Sequence, residues 1–199
     1  MDTSLEHTEH IFELEPQVKV ARARAGVLML IVSDALSVLA IFAAGGYLSA
    51  LNTLGQYKAP GDAGPPFVAE LLIAIALLLS GFFYFWWERK ARVSGGTGQP
   101  IFFLVALVLM FVAAVTETWF AAALRYATPI HAYASLLLLI AWFTAIHVIL
   151  TTIIGLLVGG RILRGRIAGH EFIAEVTGYW WYYTVVAAIL LWLFGSFLL

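Results

Sequence analysis

Five long apolar runs fill most of this chain, and its basic residues collect at every second junction between them. The runs are Ala25 to Leu51, Phe67 to Trp87, Ile101 to Leu124, Ala132 to Val158 and Gly178 to Leu199, each 21 to 27 residues long. About 20 helical residues at roughly 1.5 Å apiece cross a hydrocarbon core about 30 Å thick, so every run is long enough to span. With 62% apolar residues and a mean hydropathy of +0.94, the chain has too little polar surface for a water-soluble globule. No run shows the alternation of a membrane β-barrel strand. The expected fold is an all-α integral membrane protein, a bundle of five transmembrane helices.

Nine of the eleven Lys and Arg residues form three groups: Lys19, Arg22 and Arg24 before the first run, Arg89, Lys90 and Arg92 after the second, and Arg161, Arg164 and Arg166 after the fourth. The other two junctions hold only Lys58 and Arg125. Basic residues are retained on the cytoplasmic side, so the amino terminus is expected inside and the carboxyl terminus outside. A net charge of -1 argues against a nucleic-acid partner. The absence of cysteine excludes disulfides, thiolate metal sites and covalent c-type haem attachment. The first apolar run starts at residue 25 and is long enough for a mature span, which argues against a cleaved signal peptide.

Residues 1–24, acidic and then basic, are expected to form a cytoplasmic extension, either a solvated tail or a segment that docks on a partner; residues 25–199 form the membrane domain. The first outer loop, NTLGQYKAPGDAGPP, is too rich in Gly and Pro to continue a helix. SGGTGQP is a flexible connector, and TPIH is a tight turn that sets the third and fourth spans side by side and antiparallel. Gly155 and Gly159 make a GxxxG in the fourth span, a spacing that lets helix backbones approach closely. Most of the Trp and Tyr residues at the span ends, Tyr179 to Tyr183 among them, fit an aromatic belt.

A charge at the bilayer centre costs upwards of about 2.5 kcal/mol, so Asp34, Glu70, Glu117 and His147 each require a reason. Counting helical rise, Asp34 lies about 14 Å and His147 about 17 Å from the cytoplasmic edge, close enough in depth to meet. From the outer edge Glu70 lies about 5 Å and Glu117 about 10 Å deep. Two adjacent carboxyls in a low dielectric do not both ionise cheaply, so one is protonated or a proton is shared. Two readings are open for the four residues: a proton relay or ion site, or interhelical hydrogen bonds that fix packing. His7, His10, His131 and His170 lie in the tail, the loops or at the membrane edge, so no set of deep histidines suits haem or copper.

In order along the chain, LMLIVSDALSVLAIFA, PPFVAELLIAIALLLSG, VTETWF, AWFTAIHVILTTIIGLLV and TGYWWYYTVVAAILLWLF resemble the spans of subunit III of the haem-copper respiratory oxidases, in its five-helix bacterial form. The matches are Ser33 and Asp34 in the first span, Glu117 in the third, and His147, Val148 and Gly155 in the fourth. The family's last helix usually reads YWHFVDVVW, so here Trp181 stands for a His and Thr184 for an Asp. The motif before His-Val usually holds another His and a Gly, where this chain has TAIHV. Loss of these polar groups is expected to leave Trp180, His147, Glu117 and Asp34 short of partners and marks a divergent branch.

The resemblance implies a non-catalytic accessory subunit in the bacterial cytoplasmic membrane, its carboxyl terminus periplasmic. It would pack against catalytic oxidase subunit I and other subunits of the complex and bind phospholipid. It would carry no cofactor itself, with haem and copper expected in the partner subunits. Alternatives are a subunit-III-like protein of a nitric oxide reductase system and a small proton or ion transporter. A transporter is disfavoured by the lack of internal repeats and of Gly/Pro-broken helices near the midplane. A membrane enzyme with its own cofactor is weakest, since ligands are missing.

Overall fold

The computed structural model describes residues 15–52, 57, 66–94, 98–127 and 132–197. The tail 1–14 with His7 and His10, most of the first outer loop, and the TPIH turn with His131 lie outside the described residues. Among the described residues the fold is all helical: α1 (Pro16–Ala50), α2 (Phe67–Ser94), α3 (Pro100–Ala127), α4 (Ala132–Leu163) and α5 (Phe172–Phe197). All five are long and apolar enough to cross a membrane, and large apolar side chains such as Met29, Val68, Trp119 and Leu157 point outward. A chain built this way is a multi-pass membrane protein.

The helices outrun the apolar segments at the end of the bundle that carries the basic groups. α1 begins at Pro16, whose fixed φ suits a first helical turn, so Lys19, Arg22 and Arg24 stand on the same rod as Asp34. Residues 16–24 of the extension are therefore helical. α2 runs past Trp87 to Ser94, and α5 opens at Phe172 instead of Gly178. Hydropathy marks where a helix meets lipid, whereas Arg, Lys and Glu propagate a helix well in water, here helped by the Glu88–Arg92 pair one turn apart. α4 stops in a compact turn in which Gly165 (φ 64°) and Gly169 (φ 76°) take left-handed conformations. The Gly169 N–H donates to the Glu171 carboxylate at 2.9 Å. That bond, together with one from the N–H of Glu171 itself, holds the Glu171 carboxyl below its usual range.

Helices α2, α3, α4 and α5 close into a four-helix ring, with the broadest contacts made by α3 on α4 and α2 on α3. α1 stands outside this ring, on α5 and more lightly on α4, and makes no helix contact with its chain neighbour α2. Trp181 of α5, fully buried, is the wedge of the ring core. Its ring stacks on Tyr84 at 4.5 Å and its indole N–H donates to Ser80 Oγ at 3.1 Å. A Cβ at Gly155 would sit 2.7 Å from Leu107 and 2.9 Å from Trp181, and one at Gly159 3.2 Å from Phe103. The GxxxG is thus a close-approach face against α3, and Gly155 also admits Trp181. Trp181 is thus a packing element of the ring core.

Candidate functional site

Among the described residues, the acidic side chains between the helices fall into three groups. The first joins α1, α4 and α5. His147 Nδ1 lies 2.7 Å from the Phe143 carbonyl, which only accepts, so Nδ1 carries a hydrogen. Its Nε2 lies 2.9 Å from Asp34 Oδ2. One proton must occupy that contact, as imidazolium with carboxylate or as neutral imidazole with carboxylic acid, and both forms are neutral overall. Tyr183 O–H donates to the same Asp34 oxygen at 2.5 Å. The rings of Phe143 and Trp180 stack on the imidazole at 4.2 and 5.8 Å. One turn along α4, Thr151 Oγ donates to the His147 carbonyl at 2.8 Å, accepts the Trp180 indole N–H at 3.0 Å, and bonds the Thr184 hydroxyl at 2.8 Å.

The second group lies at the basic end and joins α1, α2 and α5. Glu175 receives Arg24 at 2.7 Å, Arg92 at 3.4 Å and Tyr179 O–H at 2.5 Å. Glu88 receives Arg92 at 3.3 Å and Tyr182 O–H at 2.5 Å. Both carboxylates are buried, while both guanidiniums are about half exposed. Two negative and two positive charges cancel within this group.

The third group lies at the opposite end. Glu70, in the first turn of α2, and Glu117 of α3 line one cavity of about 30 Å³ together with Thr144 of α4 and Trp192 of α5. A space of that size holds about one water and is too small for a cofactor. Glu117, only 5% exposed, has no hydrogen bond or ion pair among the described residues.

The four ionisable residues singled out by depth therefore form two pairs: Asp34 meets His147 directly, and Glu70 shares a cavity with Glu117. The expected shortage of partners is corrected for three of the four residues concerned. Asp34, His147 and Trp180 are all bonded, to one another or to Tyr183, the Phe143 carbonyl and Thr151, whereas Glu117 makes no hydrogen bond or ion pair among the described residues. Sequence reasoning missed Tyr182, Tyr183, Thr151, Thr184, Glu88 and Glu175. Tyrosines at span ends fit an aromatic belt equally well, and Glu88 adjoins Arg89, Lys90 and Arg92 in sequence, so neither stands out along the chain. The available signal was the hydroxyls at positions 151 and 184, since Thr in an apolar helix is a common interhelical hydrogen-bonding group. Compared with models of known protein families and with curated proteins, the chain matches none.

Proposed function

We propose that this chain is a non-catalytic accessory subunit of a bacterial haem-copper oxidase complex, or of a nitric oxide reductase system. It acts by packing against a catalytic subunit and by binding phospholipid. The observation that carries the reading is the Asp34–His147–Tyr183 contact. Asp34 and His147 are among the residues that bear the resemblance to subunit III, and the contact engages these polar groups with one another and with Tyr183 as links between helices. Haem and copper belong to the partner subunits in this reading, and the basic end faces the cytoplasm of a bacterial inner membrane. Purification from its native membrane in mild detergent with haem spectroscopy tests it. A co-purifying haem protein is the expected result, and a colourless protein that never retains one overturns it. A tag after Leu199 is expected to be reachable from the periplasm; a cytoplasmic location would overturn the orientation.

The second reading is a small proton or ion transporter, favoured by the cavity that holds an unpartnered Glu117. Ion flux in liposomes containing only this chain would support it.

A further inference from the structure

The Glu70–Glu117 cavity is lined by two carboxyl side chains and by Trp192, whose buried indole N–H makes no hydrogen bond. Trp192 Nε1–H is buried and has no acceptor. Glu117 is buried and has no donor. Both line the same space, with the Thr144 hydroxyl and the half-buried Glu70 completing its polar wall. A carboxyl with no hydrogen bond among the described residues, in one lining with a buried indole N–H that has none, leaves room for a guest that both accepts and donates, and the cavity of about 30 Å³ takes roughly one water. A bare cation would suit the carboxylates but would meet the positive end of the indole N–H.

Charge then sets the proton count. α2 and α3 each contribute one carboxyl; α4 contributes Thr144 and α5 Trp192, neither of which titrates in water. α1 contributes nothing to the lining, and no Lys, Arg or His is among the lining residues. Two carboxylates in such surroundings are not both ionised at neutral pH.

We propose that this cavity is a proton-binding site, in which Glu70 and Glu117 share one proton through one water and exchange it with the aqueous phase at the end of the bundle away from the basic clusters. Glu70, partly exposed in the first turn of α2, is the point of entry. In the uptake step a hydronium gives its proton to the Glu70 carboxylate, leaving carboxylic acid and water. A water in the cavity then passes the proton to and from Glu117. The inference does not depend on whether the chain is an oxidase subunit.

The test is infrared spectroscopy of the purified full-length chain in lipid nanodiscs, read in the carbonyl region of protonated carboxylic acids, with D34N used to subtract any contribution from Asp34. The expected result is a band present at neutral pH and lost on raising the pH, which shifts in ²H₂O and disappears in E117Q. In W192F, which keeps an aromatic ring but removes the N–H, the same band should move. A band unchanged in both E117Q and W192F overturns the proposal. So does one that fails to shift in ²H₂O, or one that vanishes on adding sodium at fixed pH, which would mark a cation site. Should E117Q fail to fold by circular dichroism and gel filtration, W192F and the ²H₂O shift decide.

Discussion

Each end of the bundle buries glutamates, yet the two ends balance their charge in different ways. At the basic end Glu88 and Glu175 meet Arg24, Arg92, Tyr179 and Tyr182. At the other end Glu70 and Glu117 face each other across a cavity with an indole N–H for company. The asymmetry that sorts Lys and Arg to one membrane face also sorts the available counter-charges. A buried acid near the basic clusters finds a guanidinium, whereas Glu70 and Glu117 meet no Lys or Arg among the described residues. The first kind of site ties helices together; the second kind exchanges with its surroundings.

Glu175→Ala should do the most damage, because it strands Arg24 and the Tyr179 hydroxyl, leaves Arg92 with Glu88 alone, and loosens α1, α2 and α5 at once. The loss is read as a lower unfolding midpoint in detergent and should be the largest drop of the three substitutions. A wild-type midpoint would show that the basic end is not the tied one. Tyr182→Phe removes one hydroxyl but leaves Glu88 its Arg92, so about 1 kcal/mol is expected in the same assay. Smallest of all is Glu117→Gln, a neutral isostere of a protonated acid, which should change stability by no more than about 0.5 kcal/mol in either direction. A loss equal to that of Glu175→Ala would mean that Glu117 is an ionised, paired group and that the contrast between the ends is false.

The spans were legible because apolar length is a one-dimensional property, and the pairing of Asp34 with His147 was legible because depth along a helix is nearly so. What required the structure was azimuth. Tyr182 and Tyr183 are adjacent in sequence, but successive helical residues point about 100° apart, so one reaches Glu88 on α2 and the other Asp34 on α1. Trp181, between Trp180 and Tyr182, points into the ring core against Gly155. No count along the chain assigns these three directions without the positions of the neighbouring helices. Helix ends were misjudged for a different reason: hydropathy falls at Trp87, although the backbone of α2 continues to Ser94.

The position of α1 outside the ring has a consequence for biosynthesis. It is the first of the five helices to leave the ribosome, yet the helix it leans on most, α5, is the last. Asp34 meets the Tyr183 hydroxyl only after 149 further residues have been made, a delay of about 10 s at typical synthesis rates. Through most of that interval α1 sits in lipid or in the insertion machinery with a carboxyl near mid-membrane, with His147 made only 36 residues before Tyr183. The chain's earliest helix is thus held in reserve, and assembly finishes when its last helix returns to collect it.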